Sequence, residues 1–285
     1  MKWYRLAGQE FQFPCPVLEL TPFEVRPTDG DTSASLSASN SLQAAPASLT
    51  LLAQTDGLVG SAIRHVETWS APSGYILKAT GGGNFYIAQE GKSIQRIGND
   101  EPWPQLDREI LVGPVLVLAL ALRETWSIHA SAIVCNGCAI LFVGDSGLGK
   151  STLAGFLAGS LSLISDDILP VTMNVSGLIC WPHFPQLKLP LSAQPGPSLP
   201  ESLPVSHICL LDQAKQISLQ QLSPSDATQT LLRHTAGTRL FPPDLLSKHL
   251  AFCAQAGSKI RVLRVAYPRR MDALPDVQKL LETLC

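Results

Sequence analysis

Apolar and polar residues alternate over short stretches in the first third of the chain. Within residues 68–96 the alternation follows the two-residue period of half-buried strands, and glycines divide it into short segments. Residues 1–27 carry a shorter pattern of the same kind. Residues 28–50 are rich in Ser, Thr, Ala and Asp, a composition typical of a loop. We therefore predict a small β-rich domain over residues 1–105.

Longer apolar segments begin after this domain. The apolar run at residues 110–122 is shorter than the roughly 20 residues that a helix needs to cross a bilayer. It predicts instead a buried helix over residues 107–123, in which Pro114 either introduces a kink or lies near the first turn. Residues 1–5 lack the apolar core of a signal peptide. We therefore expect a soluble, cytoplasmic protein.

The rest of the chain mixes strand and helix patterns. Asn136-Gly137 separates two apolar runs, residues 127–135 and 138–143, and this dipeptide is the strongest short-range signal of a β-hairpin. The alternation of strands and helices that follows predicts an α/β domain over residues 106–285. Its later elements are a helix at 152–158, a strand at 161–164, an irregular connection at 181–204, a strand at 207–212, helices at 223–239 and 243–256, a strand at 259–266 and a helix at 273–284.

One segment matches the phosphate-loop pattern G-x-x-x-x-G-K-[ST] in full. It consists of Gly144, Asp145, Ser146, Gly147, Leu148, Gly149, Lys150 and Ser151, with Thr152 next in the chain. A predicted strand leads in and a predicted helix leads out, so curled main-chain N–H groups and a helix N-terminus would together hold an anion. Lys150 would reach the β- and γ-phosphates of a nucleotide, and Ser151 would coordinate Mg²⁺. The alternative is a chance match in an ordinary turn.

Two carboxylates follow the predicted strand at residues 161–164. Asp166 and Asp167 come after its carboxyl end, where α/β sheets present residues to a ligand. One aspartate would serve Mg²⁺ and the other would accept a proton from an attacking hydroxyl. The alternative is a capped turn, in which aspartate is common. His129 precedes the hairpin and would hydrogen-bond an aspartate, or else be a satisfied core histidine.

The order and spacing of these residues resemble the HPr kinase/phosphorylase superfamily. The similarity covers His129-Ala130-Ser131, the loop from Gly144 to Ser151, and Asp166-Asp167. It implies an α/β fold with a P-loop core like the C-terminal domain of HPr kinase, beside a smaller N-terminal β-rich domain. It also implies ATP and Mg²⁺ as cofactors. Possible self-association into a homo-oligomer is implied as well.

The resemblance assigns a role to each residue of the motifs. Asp166 would be the catalytic base toward a serine hydroxyl, with His129 beside it as support. Asp167 and Ser151 would bind Mg²⁺, and Lys150 would hold the transferring phosphate. Because the Glu-Val-Arg-Gly signature of HPr kinase/phosphorylases is absent from the sequence, the chain looks more like the kinase-like relatives that include lasso-peptide precursor kinases. Their implied acceptor is a serine on a small peptide.

The net charge limits the classes of binding partner, and the cysteine content indicates the redox compartment. The net charge of −2, without a basic stripe, argues against a nucleic-acid partner and against attraction to a membrane surface. Seven scattered cysteines predict free thiols in a reducing compartment. Cys135 and Cys138 form a C-x-x-C, but they flank the predicted hairpin turn and no second pair follows at zinc spacing.

Three further cations are candidates for contacts with the transferring phosphate or the substrate. They are Lys188, Arg233 and Arg239, each of which is, alone, more often a solvated surface charge. Three functions follow from the sequence. The first is an ATP- and Mg²⁺-dependent serine kinase acting on a small peptide or protein. The others are a nucleotide-gated peptide-binding module and an NTPase without a phosphate acceptor.

Overall fold

A computed structural model of the protein describes residues 2–13, 15–26, 36–38, 49–98, 102–186, 189, 194 and 199–284. The contacts divide the chain into two compact units. Unit 1 comprises residues 1–127 and 237–248, and unit 2 comprises residues 128–236 and 249–285. The units therefore do not coincide with the predicted domains 1–105 and 106–285. The apolar helical segment after residue 105 packs within unit 1, which moves the division later in the chain.

Unit 1 is built on an eight-stranded sheet. Its order is β1-β2-β3-β8-β7-β6-β5-β4, and every neighbouring pair is antiparallel except β2–β3 and β3–β8. The strands are β1 Lys2–Leu6, β2 Gln9–Phe13, β3 Leu36–Ala38, β4 Thr50–Val59, β5 Ala62–Ala71, β6 Gly74–Ala79, β7 Asn84–Ala88 and β8 Ser93–Ile97. The β-rich prediction is confirmed. The predicted loop at residues 28–50 lies mostly outside the described residues.

Aromatic rings fill the core of unit 1. Phe13 and Phe85 each meet the edge of Trp103, with ring centroids 6.5 and 5.9 Å apart, and Phe11 stacks on Phe13. All four side chains are buried. Edge-to-face contacts of this kind add to the free energy that the burial of apolar surface already supplies.

The predicted helix at residues 107–123 is present with the predicted kink. Helix α1 (Gln105–Ile110) passes through a π-helical turn, Leu111–Val115, into helix α2 (Leu116–Leu122). Gly113 has non-helical dihedral angles, and Pro114 follows it without an N–H to donate. Almost the whole apolar run is buried. No helix of the described residues is both long and apolar enough to span a bilayer.

A buried ion pair joins α1 to the sheet of unit 1. Arg96 Nε donates to Asp107 Oδ2 at 2.6 Å, and the Gly83 N–H donates to Asp107 Oδ1 at 2.7 Å. The side chains of the pair are only 6% and 3% exposed. Because a buried charge without its partner is strongly destabilising, this contact ties the helix to the sheet.

Unit 2 contains a nine-stranded mixed sheet. The main path is β12-β10-β11-β15-β14-β13-β9, while β17 pairs with β15 and β16 pairs with β17. The strands are β9 Trp126–His129, β10 Ser131–Cys135, β11 Cys138–Val143, β12 Ser162–Ser165, β13 Ile168–Asn174, β14 Gly177–Cys180, β15 Leu203–Gln213, β16 Ser218–Gln221 and β17 Arg261–Tyr267. Both β11–β15 and β15–β17 are parallel. The mixed α/β class is therefore confirmed.

The predicted hairpin is confirmed in detail. Strands β10 and β11 pair with Cys135 opposite Cys138, and Asn136 and Gly137 between them both have positive φ, 45° and 76°. These values suit a tight two-residue turn, which explains the Asn-Gly dipeptide. The predicted first strand at residues 127–135 is two strands, β9 and β10. They pair with different neighbours.

Four α-helices follow the hairpin in the part of the chain that the structure describes. They are α3 Lys150–Leu157, α4 Pro224–His234, α5 Pro243–Lys259 and α6 Leu274–Glu282. Helix α4 begins where Ser223 Oγ accepts the N–H of Asp226 at 3.2 Å, and it ends five residues before the predicted limit of 239. Helices α3 and α6 pack their apolar faces against β10, β11 and β17 in one core.

The cysteines correct one prediction. Cys135 is disulfide-bonded, whereas the sequence predicted free thiols only. Among the described residues, Cys138, Cys180, Cys209 and Cys253 are free cysteines. Burial raises the pKa of Cys180, Cys209 and Cys253 to about 12, so these three thiols stay protonated at neutral pH.

We expect Asp107→Asn to destabilise unit 1 by about 3–5 kcal/mol, because it leaves the buried Arg96 charge without its partner. Urea unfolding followed by tryptophan fluorescence measures the change. Glu124→Gln is the control, since Glu124 and its partner Lys248 are exposed, and it should cost about 0–1 kcal/mol. Equal losses in the two variants would show that burial of the Arg96–Asp107 pair has no energetic consequence.

Candidate functional site

Strand β10 determines which segments meet at one edge of the unit 2 sheet. Its first residues, Ser131 and Ala132, lie opposite the carboxyl ends of both antiparallel neighbours, β11 and β12. Two segments therefore leave the sheet at the same edge, one on each side of β10. One is the glycine loop, residues 144–149, which follows β11. The other is the aspartate turn, formed by Asp166 and Asp167, which follows β12.

The glycine loop depends on backbone conformations that side chains disfavour. Gly144, Gly147 and Gly149 have φ values of 150°, 83° and 88°. A Cβ atom at Gly144 would also lie 3.3 Å from both Leu148 Cδ1 and the carbonyl oxygen of Leu211. The spacing of the glycines in the sequence is thus explained by the path of the main chain.

Lys150 folds back over the loop from the first turn of α3. The helix starts directly after Gly149, and the Leu153 N–H donates to the Gly149 carbonyl at 2.8 Å. Lys150 is 8% exposed, and its Nζ donates to the carbonyl oxygens of Gly144 at 2.8 Å and Asp145 at 3.3 Å. The ammonium group therefore lies against the concave side of the loop.

Each carboxylate of the aspartate turn has its own polar neighbour. Ser131 Oγ donates to Asp166 Oδ1 at 2.9 Å, and His129 Nδ1 lies 3.6 Å from Asp167 Oδ1. The main chain adds a bond from the Ala130 N–H to the Asp167 carbonyl at 3.0 Å. The resemblance expects His129 to support Asp166. In the structure its neighbouring carboxylate is Asp167, and Ser131 is the residue bonded to Asp166.

A buried glutamine lies beneath this turn. Gln186 is 0% exposed, and its Oε1 accepts the N–H groups of Asp166 at 2.9 Å and Asp167 at 3.0 Å. Its Nε2 donates to the carbonyls of Ile168 at 2.8 Å and Phe184 at 3.1 Å. The sequence analysis gave Gln186 no role. The available signal was a single amide within the largely apolar segment 184–189.

His234 is a second residue that the sequence analysis missed. It ends α4 and is 7% exposed, and burial lowers its pKa to about 4. Asp145 raises the pKa of His234, while Arg233, Lys150 and His129 lower it. Asp145, Arg233 and Lys150 therefore act electrostatically on this imidazole, which links His234 to the glycine loop.

A cavity of about 320 Å³ opens beside the loop. Asp145, Asp212, Arg233 and His234 are among its lining residues, and Arg233 Nη2 lies 2.9 Å from Asp145 Oδ2. Asp212 lies near the carboxyl end of β15, which runs parallel to β11. In the sequence, Asp212 could have been recognised as a carboxylate that directly follows an apolar run, residues 208–211.

The other two predicted cations are not tested by this arrangement. Arg239 is exposed and belongs to unit 1. Lys188 lies outside the described residues. Arg233 is the predicted arginine that adjoins the glycine loop. It is largely exposed and remains available to a ligand.

The oxygen donors fit a hard divalent cation such as Mg²⁺. The exposed members of the phosphate-loop segment are Asp145, Ser146, Gly147, Ser151 and Thr152. No group of three or more histidine, cysteine or acidic side chains among the described residues forms a complete metal site. Mg²⁺ is usually held by one or two carboxylates together with phosphates and waters. The Ser151 hydroxyl and the Asp167 carboxylate suit that mode of binding.

Comparisons with known proteins give little further constraint. No protein-family model matches the chain, and a search of curated proteins also finds no match. Among solved structures, the chain is similar to the Hpr(Ser) kinase/phosphatase from Coxiella burnetii, with 13% identity and a TM-score of 0.30 over 55% of this chain and 87% of that chain. A likeness at this level does not bear on function. The functional argument therefore rests on the site itself.

We expect unit 2 to lose stability as the pH falls from about 6.5 to about 4. The pKa values of His234 and His249 are both lowered to about 4 by burial, from 6.5 in the unfolded chain. Between these values the unfolded state binds more protons, so the stability contribution is complete above pH 6.5 and is lost toward pH 4. Thermal unfolding across this range measures the loss.

His249→Gln tests the cause of that loss. His249 Nε2 lies 2.9 Å from Thr235 Oγ1, and glutamine can replace this contact without titrating. The variant should therefore show a shallower pH dependence between 6.5 and 4 than the wild-type protein. Parallel slopes in the variant and the wild-type protein would contradict the assignment.

Proposed function

We propose that this protein is an ATP- and Mg²⁺-dependent kinase that transfers the terminal phosphate to a serine hydroxyl. One observation carries the proposal. The glycine loop, over which Lys150 folds, and the carboxylate of Asp166 follow the two strands that flank β10, at the same edge of the sheet. Phosphoryl transfer depends on positioning and on electrostatic stabilisation of charge, and a phosphate-binding loop beside a base supplies both.

The glycine loop would hold the phosphates of the nucleotide. Positive φ values at three glycines would let main-chain N–H groups of the loop face a bound phosphate, and the N-terminus of α3 would add the positive end of its dipole. The ammonium group of Lys150 would exchange its contacts with the carbonyls of Gly144 and Asp145 for phosphate oxygens. This exchange keeps the buried charge paired in both states, which lowers the cost of ligand binding.

A second cavity gives room for the nucleoside part of the ligand. It measures about 180 Å³ and is lined by Gly149, Thr152 and Tyr267 among other residues. Tyr267 Oη lies 3.5 Å from the carbonyl oxygen of Leu148, so the cavity directly adjoins the loop. Arg269 also lines it. The arrangement supports binding of a whole nucleotide, with its phosphates at the loop.

Ser151 and Asp167 would hold Mg²⁺. When bound, the ion neutralises charge that develops on the β- and γ-phosphate oxygens. Asp167 is suited to this position because its side chain is 15% exposed and retains access to solvent and ligand. His129, 3.6 Å away, would orient this carboxylate.

Asp166 would act as the base toward the acceptor. The attacking serine oxygen forms a bond to the terminal phosphorus, the bond to the nucleoside diphosphate breaks, and the serine proton passes to Asp166. Ser131 already donates to Asp166 Oδ1. It would therefore fix the rotamer of the carboxylate and leave Oδ2 directed at the incoming hydroxyl.

The acceptor would be a serine on a small peptide or protein. The sequence resemblance to kinase-like relatives supports a small peptide or protein, such as a lasso-type ribosomal precursor peptide. The cavity beside the loop carries both acidic and basic side chains, including Asp212, Asp226 and Arg264. Such a lining suits a polar peptide segment better than an apolar ligand.

The decisive experiment incubates the purified protein with ATP, Mg²⁺ and serine-containing precursor peptides, and then detects phosphoserine by mass spectrometry. We expect Asp166→Asn to reduce turnover by about 10²–10⁴-fold, because the variant cannot accept the serine proton. The affinity for ATP should change little, since the glycine loop is intact. Isothermal titration calorimetry measures that affinity.

Two controls separate the proposed kinase from its alternatives. Asp272→Asn removes an exposed carboxylate of unit 2 and should retain full turnover. Lys150→Met should lose both nucleotide affinity and turnover. Hydrolysis of ATP without phosphopeptide would identify an NTPase. ATP-dependent peptide binding that is unaffected by Asp166→Asn would identify a binding module.

Arg233 provides a separate test of charge stabilisation. We expect Arg233→Ala to reduce turnover by about 10³-fold or more if the guanidinium group neutralises charge on the transferring phosphate. Its exposed pair with Asp145 should contribute only about 0–1 kcal/mol to the free energy of unfolding. Rapid-quench kinetics and urea unfolding measure the two quantities. Arg261→Ala, at another exposed arginine, is the matched control. Wild-type turnover in Arg233→Ala would show that Arg233 has no part in the mechanism.

A further inference from the structure

We propose that Gln186 is a positioning residue that fixes the directions of both carboxylates in the aspartate turn. This inference rests on the proposed function, because it gives those carboxylates their roles. None of the hydrogen bonds of Gln186 to described residues is made to the glycine loop. It acts through the main chain of Asp166 and Asp167, which places it one layer behind the reacting groups.

The amide group of Gln186 has a determined orientation. Its Oε1 faces the N–H groups of Asp166 and Asp167, at 2.9 and 3.0 Å, and these can only donate. Its Nε2 faces the carbonyls of Ile168 and Phe184, which can only accept. The opposite orientation would place donors against donors and acceptors against acceptors. The bonding pattern therefore fixes the oxygen beneath the turn.

Two consecutive N–H groups converge on this single oxygen. Main-chain N–H groups that converge in this way usually bind an anion, and here a neutral side-chain oxygen takes that place. The carboxylates of Asp166 and Asp167 are thus kept from folding back onto their own main-chain N–H groups. They remain directed toward Ser131 and His129, the neighbours that face the site.

The surroundings hold Gln186 in place. Ser165 Oγ lies 3.0 Å from both Gln186 Oε1 and the Ala130 carbonyl, so its one hydrogen is shared between two acceptors. The main chain of Gln186 is bonded on both sides by the side-chain amide of Gln194, at 2.8 and 2.7 Å. With full burial of its side chain, Gln186 has little freedom to change rotamer, which is the requirement for a residue that positions others.

The test replaces Gln186 with residues that cannot accept the two N–H bonds. Gln186→Met keeps the length of the side chain without an acceptor. Gln186→Asn keeps the amide, but it is one methylene too short to reach the turn. For both variants we expect kcat to fall by about 10–100-fold. We expect the affinity for Mn²⁺, measured by electron paramagnetic resonance in the presence of a non-hydrolysable ATP analogue, to fall by about 10–100-fold as well. The KM for ATP and the affinity for the analogue without metal should stay near their wild-type values.

His249→Met is the control for a purely structural effect. It removes another buried hydrogen-bonding side chain of unit 2, whose contacts with Thr235 and Cys253 are distant in sequence from the turn. It should lower the melting temperature while kcat per folded molecule and Mn²⁺ affinity remain those of the wild-type protein. Should Gln186→Met fail to fold, Gln186→Asn decides the question, because its polar amide is compatible with water in the vacated space.

The outcomes distinguish this inference from the proposed function. If the wild-type protein does not bind Mn²⁺ with the ATP analogue, the proposed function fails. If the wild-type protein binds and the folded Gln186 variant matches it in Mn²⁺ affinity and in kcat, the positioning role is overturned and the proposed function stands. If the loss of activity is fully explained by a smaller fraction of folded protein, the positioning role is also overturned.

Discussion

The pairing of one central strand with two antiparallel neighbours is the constraint on which the site depends. Strand β10 lies between β11 and β12, so the segments that follow those strands leave the sheet at the same edge. The glycine loop and the aspartate turn are separated by a helix in the sequence. They become neighbours because hydrogen bonds hold their strands in register. A shift of either pairing by one residue would turn every side chain of that strand to the other face.

Electrostatic balance in the site is achieved by short-range pairing. The Lys150 ammonium group bonds to carbonyls of the loop, Ser131 donates to Asp166, and Gln186 satisfies the N–H groups behind the carboxylates. His234 remains neutral at physiological pH, since burial lowers its pKa to about 4. Lys150, the Asp166 carboxylate and the N–H groups of the aspartate turn thus have partners before a ligand arrives. A site of this kind needs little reorganisation when charge develops during phosphoryl transfer.

Local sequence signals predicted the elements whose geometry is decided within a few residues. Asn136-Gly137 specified the hairpin turn because two positive φ angles are required there, and the glycine spacing of the loop followed from the same limitation. The kink at Pro114 was predictable from its missing N–H. Strands β4, β13, β14 and β16 were not predicted, and β3 lies within a segment that was predicted to be a loop. Their boundaries depend on neighbours that are distant in sequence rather than on their own composition.

The sequence by itself therefore determined the mixed α/β class, the hairpin and the candidate loop, lysine and aspartates, since each is encoded by a short pattern with a local physical cause. Only the tertiary structure decided that His129 neighbours Asp167, that Ser131 bonds to Asp166, and that Gln186 lies beneath both aspartates. It also assigned the helical segment after residue 105 to unit 1. These relations depend on strand register and on burial, which arise only when distant parts of the chain pack together.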